Sequence, residues 1–230
     1  MSRLVFACFA LGGLTPGPTP TDYCTNSFCE PGLVNVGCNP PPLTGGPACA
    51  GKNPEVMEIT SVEIDFILDK MNTLRQSYAS GAHTPTFPVA RSMPSLQWDA
   101  ELASQAGNNV RSCIIGYDMC HNTAQFNNSG QIGFVNLFDN VAIHTKTYFL
   151  NEVLLTISKD KEYFENGVNS YSSYNPKSKG VDLAHVLNDR SSKVGCALQK
   201  FDYLGTYFYY FLICNFSANL IAGQPIYTQG

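Results

Sequence analysis

Residues 207–214 read YFYYFLIC, a run in which every side chain is apolar or aromatic. A strand that is covered on both faces shows such a run, whereas a strand with one wet face alternates apolar and polar residues. The run therefore predicts a central strand. Residues 193–201 predict a neighbouring strand, and residues 181–187, which are apolar but alternate poorly, predict a third one.

Three helices are predicted before these strands. Thr60 and Glu63 have the spacing of a capping box, and Gly81 marks the end of the first helix. The second helix is expected from Asp99 to Cys113, and the third from about Thr145 to Phe164. Helices followed by an antiparallel sheet with two apolar faces indicate an α+β fold, a three-layer α-β-α sandwich. The apolar face of the first helix comprises Ile64, Ile67, Leu68, Met71, Leu74 and Tyr78.

The composition excludes several classes of protein. The 230 residues include 14 Lys and Arg against 18 Asp and Glu, a net charge of −4. This balance lacks the basic surface of a nucleic-acid-binding protein, so no nucleic-acid partner is expected. Charged residues make up 14% of the chain, against about 25% in an average soluble protein. The low content of Lys and Glu also argues against a coiled coil.

The amino-terminal segment has the features of a secretory signal peptide. Arg3 precedes an eleven-residue apolar run, residues 4–14, which is too short to span a bilayer. We therefore expect residues 1–20 to be a signal peptide and the protein to be secreted and extracellular. No later stretch reaches the roughly 18 to 20 apolar residues of a membrane span.

Eight cysteines remain after removal of that segment, and an even number in an exported chain predicts disulfides. Their spacing alone leaves about 100 pairings open. Residues 21–55 are rich in Cys, Pro and Gly and predict an irregular, disulfide-held extension, and residues 56–230 predict the main domain. Asn127 and Asn215 each begin an Asn-x-Ser sequon, which predicts glycosylation.

Five short motifs, in order, resemble the CAP superfamily of cysteine-rich secretory, antigen-five and pathogenesis-related proteins. The motifs are DYC with VGC at residues 22–24 and 36–38, SLQWDAELA at 95–103, KVGCA at 193–197, CNFS at 214–217 and GQPIY at 223–227. The amino-terminal motif resembles the antigen-five branch found in insect venom and saliva. The resemblance implies an α-β-α sandwich over residues 56–230, a venom, saliva or reproductive-fluid protein, and an allergen. It also implies the disulfides Cys24–Cys38, Cys29–Cys120, Cys49–Cys113 and Cys196–Cys214.

The family's cavity carries a tetrad of two histidines and two acids that is suited to a divalent metal. The resemblance places Met71, Gln131 and Asp182 at three of these positions, with Asp160 or Glu162 as candidates for the fourth. Both histidines are therefore missing, which predicts no metal, no cofactor and no catalysis. His185 lies three residues from Asp182, and in a strand this spacing directs the two side chains to opposite faces.

These observations predict a non-enzymatic protein that acts by binding. The resemblance implies a fatty-acid-like or eicosanoid ligand in a channel between the first and third helices, and an extracellular receptor protein is the other expected partner. Two alternatives remain: a residual metal-dependent hydrolase that uses Asp182, Asp160 or Glu162, and His185, or a purely structural extracellular protein. The candidate channel residues are Leu68, Met71, Phe149, Val153, Leu154 and Ile157.

Overall fold

The computed structural model describes residues 21–25, 27–139, 144–159 and 180–230. After a short 3-10 helix at Pro47–Cys49, the elements follow in the order β1 Glu55–Met57, α1 Ser61–Ala79, β2 Gln97–Trp98, α2 Ala100–Val110, β3 Gly130–Asp139, α3 Lys146–Lys159, α4 Val181–Leu187, β4 Lys193–Tyr203 and β5 Tyr207–Phe216. Within these ranges, no helix combines the length and the apolar character that a membrane crossing requires.

The sheet is organised around β5, which confirms the strand predicted at residues 207–214. β5 pairs antiparallel with β4 on one side and with β3 on the other, and β1 and β2 both pair with the far side of β4. Phe208, Tyr210 and Leu212 pack into one apolar core, and Phe211 and Ile213 pack into a second core on the opposite face. The continuous apolar run in the sequence follows from this burial on both faces.

Helices cover both faces of the sheet, so the predicted three-layer α-β-α sandwich is confirmed. The larger core lies between the sheet and the helices α1, α3 and α4, and the smaller core lies beneath α2. The capping box of α1 is also confirmed, since the Thr60 backbone N–H donates to Glu63 Oε2 at 2.8 Å. Asp99 caps α2 as predicted, but α2 ends at Val110 rather than at Cys113.

The prediction for residues 181–187 is wrong, because this segment forms the helix α4 and not a strand. Five of its seven residues, Leu183 to Leu187, are buried. A short helix that is buried nearly all round has no polar face and hence no helical periodicity in its sequence. The helix changes the relation between Asp182 and His185, because residues three apart in a helix lie on the same face. Asp182 and His185 are therefore neighbours on α4.

Disulfides attach the irregular extension to the sandwich. The structure contains the four pairs that the resemblance implies: Cys24–Cys38, Cys29–Cys120, Cys49–Cys113 and Cys196–Cys214. Two of them join the extension to the segment that follows α2, where the Val36 N–H also donates to the Cys120 carbonyl at 2.8 Å. The predicted boundary between extension and domain, at residues 55–56, falls within β1. The extension therefore forms one wall of the cavity described next.

Candidate functional site

A cavity of about 740 Å³ opens between the extension, the segment before β3 and the first turns of α4. We call it the polar cavity, since amide, carboxylate and imidazole groups make up much of its lining. Its size lies within the range of small-molecule sites, roughly 300–1,000 Å³. The described residues that line it are Ser27, Phe28, Cys29, Glu30, Leu33, Tyr117, Asp118, Met119, Cys120, His121, Asn122, Asn127, Asn128, Ser129, Gln131, Val181, His185 and Asn219.

Asp118 and His121 form a hydrogen-bonded pair in the wall of the polar cavity. His121 Nδ1 lies 2.7 Å from Asp118 Oδ1, and His121 Nε2 lies 3.1 Å from the Ser129 carbonyl oxygen. Both side chains are only about one-tenth exposed. Because each ring nitrogen already faces an oxygen atom, neither is free to take a proton from a substrate or to coordinate a metal ion.

Gln131 connects this pair to the sheet. Its side-chain NH₂ group donates to Asp118 Oδ2 at 2.7 Å and to Asn215 Oδ1 at 2.8 Å, and its carbonyl accepts from the Asp118 backbone N–H at 3.2 Å. Asn215 in turn donates to the Leu102 carbonyl at 3.2 Å and is fully buried. The glycosylation predicted at Asn215 stays a prediction, and the folded chain has no room for a glycan there because the Asn215 amide lies inside the sandwich.

The pKa of Asp118 reflects its competing surroundings. Burial raises this pKa, but hydrogen bonds from His121, Gln131 and Asn109 together outweigh burial and hold it below its usual value. The carboxylate is therefore charged at neutral pH, and its charge is matched by donors within the wall. Such a group holds the segment in place and is not available as a general base.

His185 lies on α4 beside the polar cavity and is buried. Its ring stacks near Phe216 at 6.0 Å between centroids, and it lies so close to Gly130 that a Cβ there would be 2.6 Å from His185 Nδ1. Nδ1 has no hydrogen-bond partner among the residues that the structure describes. Burial, with a smaller contribution from His121, lowers the pKa of His185 from 6.5 to about 3. His185 is thus neutral at physiological pH and a weak base.

This low pKa makes stability depend on pH. Between pH 6.5 and about 3, the unfolded chain binds a proton on His185 that the folded chain does not bind. The free energy of unfolding therefore falls as the pH is lowered through this window, by up to about 1.4 kcal/mol per pH unit for one proton. Urea unfolding at pH 7, 6 and 5 measures the slope. We expect His185→Phe to flatten this slope, and equal slopes for His185→Phe and wild type would contradict this assignment.

The structure does not bring the predicted tetrad positions together. Met71 lies on α1 in the apolar core, and Gln131 lies on the opposite face of the sheet in the polar cavity. Successive residues of β3 point to opposite faces, so that Ile132 faces Met71 and its neighbour Gln131 cannot. Asp182 is on α4 between the cavity-lining residues Val181 and His185. The other two candidates, Asp160 and Glu162, lie outside the described residues.

The predicted apolar channel is closely packed. Met71, Val153, Leu154 and Ile157 line a space of only about 10 Å³ between α1 and α3, with further walls from β3 and β5. Leu68 packs against the edge of the same core, and Phe149 is fully buried. We call this region the α1–α3 seam. A space of this size holds at most one water molecule, so a ligand enters only if the helices separate.

Comparison with known proteins agrees with the fold. A family profile described as "CAP: Cysteine-rich secretory protein family" matches residues 68–216. The chain belongs to the CAP family. It is 35% identical over 217 residues to Venom allergen-1 of Aedes albopictus, covering 93% of this chain and 82% of that protein. It is 31% identical over 230 residues to Venom allergen-1 of Aedes aegypti, covering 100% and 88%, and 29% identical over 233 residues to Tabinhibitin 3 of Tabanus yao, covering 100% and 87%.

Solved CAP structures resemble the chain in fold. The structure of BmVAL-1 superposes with a TM-score of 0.59 at 17% identity, covering 74% of this chain and 84% of that one. The crystal structure of NaASP2 with Zn²⁺ gives a TM-score of 0.55 at 18% identity, covering 74% and 87%. At this level of identity the similarity establishes the sandwich and carries no information about the residues of a site.

The residues present do not fit the divalent metal that the CAP tetrad implies. Met71 offers a thioether in an apolar core, Gln131 uses its amide within the cavity wall, and His121 has both nitrogens engaged. In the described ranges, no group of three or more His, Cys, Asp or Glu side chains is placed to hold a metal ion. Zinc in particular requires thiolate, imidazole or carboxylate ligands with free electron pairs.

The pair Asp118 and His121 was not predicted from the sequence. His121 follows Cys120 in an irregular segment. In such a segment, a separation of three residues from Asp118 does not determine whether the two side chains lie on the same side. The signal that could have found the pair is the Cys29–Cys120 disulfide, which holds this segment against the extension and so forms a cavity wall.

Proposed function

We propose that this protein is a secreted CAP protein of the venom-allergen type that binds a small molecule in the polar cavity and performs no catalysis. The observation that carries the proposal is the cavity itself, which has about 740 Å³ of space beside a wall in which Asp118 is hydrogen-bonded to His121 and Gln131. A site that is built in advance loses little free energy in reorganising when a ligand binds.

The groups in the cavity support binding rather than chemistry. His121 donates from Nε2 to the Ser129 carbonyl, and its Nδ1 is hydrogen-bonded to Asp118. His185, with a pKa of about 3, is too weak a base to remove a proton at neutral pH. A general base is most effective when its pKa lies near the working pH. The arrangement therefore lacks the proton acceptor that the alternative hydrolase would need from His185.

The charged residues that line the polar cavity indicate the charge of the proposed ligand. The described lining residues include the carboxylates of Glu30 and Asp118 but no Lys or Arg. A carboxylate or phosphate ligand would find no cation there, so we infer a neutral or cationic molecule. Tyr117, Met119 and Phe28 supply apolar surface at the same site, and Tyr117 and Met119 are 46% and 73% exposed. The ligand is thus amphipathic, with polar groups that can reach Glu30, Asn128 or His185.

Secretion is supported by the disulfides and by the relatives. Four disulfides within the described chain are typical of proteins from oxidising compartments. The expected signal peptide, residues 1–20, lies outside the described residues. The similarity to Venom allergen-1 over nearly the whole chain is consistent with an exported protein.

The proposal is tested by filling the cavity. Val181 lines the polar cavity, and Val62 on α1 is 75% exposed elsewhere on the protein. We expect protein secreted by insect cells, after exposure to a small-molecule extract of the source tissue, to retain one neutral or cationic compound per chain. Val181→Trp should retain about tenfold less because the indole occupies the site, and Val62→Trp should match wild type. If both variants retained equal amounts of the compound, the proposal would be contradicted. If Val181→Trp instead lost binding to an extracellular protein, the cavity would be a receptor-binding site.

A second candidate is the fatty-acid-like ligand in the α1–α3 seam, which is favoured by a lining that is apolar throughout. Binding of a fluorescent fatty acid to the purified protein tests it. If the seam opens, Leu68→Arg and Val153→Arg should each weaken fatty-acid binding by about tenfold or more. In both variants a charge would face the apolar chain of the ligand. Val62→Arg is the control. If Leu68→Arg or Val153→Arg folds normally and binds as tightly as wild type, the ligand is not in the seam.

A further inference from the structure

The two glycosylation sequons lie in opposite environments. Asn215 is fully buried in β5, and both ends of its side-chain amide are hydrogen-bonded, to Gln131 and to the Leu102 carbonyl. Asn127 is exposed, and its side-chain amide makes no hydrogen bond to any residue that the structure describes. An N-linked glycan needs a free amide nitrogen with open space beside it. Only Asn127 meets this requirement in the folded chain.

Asn127 also lies at the polar cavity. It lines the cavity together with Asn128 and Ser129, in the segment that connects Cys120 to β3. Its backbone carbonyl accepts a hydrogen bond from the Asn122 side chain at 2.8 Å, and the Ser129 backbone N–H donates to the same Asn122 side chain at 3.0 Å. The backbone of the sequon is therefore fixed, and the exposed side chain of Asn127 lies at the rim of the cavity.

We propose that Asn127 carries an N-linked glycan that lies over the mouth of the polar cavity. The glycan lets small molecules enter the cavity and keeps large molecules out. This inference rests on the proposed secretion and on the proposed use of the cavity. The donor is a polyprenyl-diphosphate oligosaccharide of the secretory pathway. A bond forms between Asn127 Nδ2 and the anomeric carbon of the first sugar, the bond from that carbon to the diphosphate oxygen breaks, one amide proton is released, and the polyprenyl diphosphate leaves.

The sequon must be modified before this segment has folded. The Ser129 side chain is buried in the native state, where its hydroxyl donates to the Phe126 carbonyl at 3.2 Å and is unavailable to a transferase. Asn215 is also accessible to the transferase before the chain folds, but a glycan on Asn215 would prevent β5 from packing against α2. Folded, secreted molecules are therefore expected to carry the Asn127 glycan alone.

Peptide mapping of protein from the medium of insect cells tests the modification. Enzymatic removal of N-glycans in ¹⁸O-labelled water converts each glycosylated Asn into labelled Asp. We expect the label at Asn127, none at Asn215, and loss of the glycan in Asn127→Gln. Secreted protein with no label at Asn127, or with label at Asn215, would overturn the inference, whereas protein that is retained in the cell would instead contradict the proposed secretion.

Access to the cavity is measured with a thiol placed at Val181, where α4 lines the cavity. In Val181→Cys we expect a small maleimide to react at equal rates with and without the glycan. A maleimide that carries a long polyethylene glycol chain should react about tenfold more slowly with the glycosylated protein, since the glycan is bulky and fixed at the rim. Equal rates for the large reagent in Val181→Cys and in the double variant Val181→Cys/Asn127→Gln would refute the gating. Neither measurement depends on the identity of the ligand.

Discussion

Replacing Gly195 by alanine is expected to lower the free energy of unfolding by about 3 kcal/mol or more. A Cβ atom on Gly195 would overlap the Ala103 backbone nitrogen and the Asp99 carbonyl oxygen, and would lie 2.8 Å from the Leu102 carbonyl carbon. These are backbone atoms in the first turn of α2, and they cannot move as a side chain can. The alanine would push α2 away from β4 and open the smaller core.

Urea unfolding with the disulfides intact measures this change. Gly46→Ala is the matched control, because a Cβ at Gly46 meets nothing closer than 3.5 Å and the residue has an ordinary φ of −75°. We expect Gly46→Ala to be within about 0.5 kcal/mol of wild type. A Gly195→Ala protein as stable as Gly46→Ala would show that α2 does not pack against β4 as described.

Replacing Arg75 by methionine is expected to cost about 3–5 kcal/mol. Arg75 is 1% exposed, on the buried face of α1. Burial lowers the pKa of Arg75 to about 10, so the guanidinium stays charged at neutral pH. Its five hydrogen bonds go to backbone carbonyls, two to Pro94 and one each to Val186, Asn188 and Ser191. Methionine would leave the buried carbonyls without donors.

The control for this variant is Arg190→Met, since Arg190 is exposed and, among the described residues, its side chain donates only to the Pro225 carbonyl, at 3.0 Å. We expect the control to lose less than about 1 kcal/mol. Arg75→Lys should restore only part of the loss, because an ammonium group cannot reproduce the planar set of five donors. Thermal unfolding of the three variants would contradict the assignment if Arg75→Met and Arg190→Met had the same midpoint.

Gly195 also explains one of the motifs that carried the resemblance, and Arg75 lies in the segment to which the resemblance assigned a tetrad position. Gly195 is the glycine of KVGCA, and its lack of a side chain lets α2 approach β4 directly. Arg75 lies four residues after Met71 in the segment where the family's first tetrad histidine was expected. Asn72 in that segment binds both the N–H and the carbonyl of Leu96, at 2.7 and 3.0 Å. The segment therefore fastens α1 to the following loop.

The elements that were predicted correctly have signals in their own sequence. The N-cap residues Thr60 and Asp99 mark the starts of α1 and α2, and the apolar run marks β5. The failure at α4 has a local cause too, since a seven-residue apolar segment has no distinct period. The placement of His185 depended on this element, so the error in secondary structure became an error in the site.

The polar cavity could not be predicted, because it is formed by segments that are far apart in the sequence. Phe28, His121 and His185 come from the extension, from an irregular segment and from a helix, and no spacing rule connects them. The assignment of Met71 and Gln131 to one site failed for a different reason. Family positions alone do not show that Gln131 and Ile132 face opposite sides of β3, so that only Ile132 lies on the side of Met71.

A crystal structure of the glycosylated protein from the insect-cell medium, after exposure to the source-tissue extract, tests the central claim most directly. We expect density for one small, neutral or cationic molecule in the polar cavity, in contact with Tyr117 and within hydrogen-bond distance of Glu30, Asn128 or His185. Density for an acyl chain between separated α1 and α3 helices, with ordered water alone in the polar cavity, would contradict the proposed binding site.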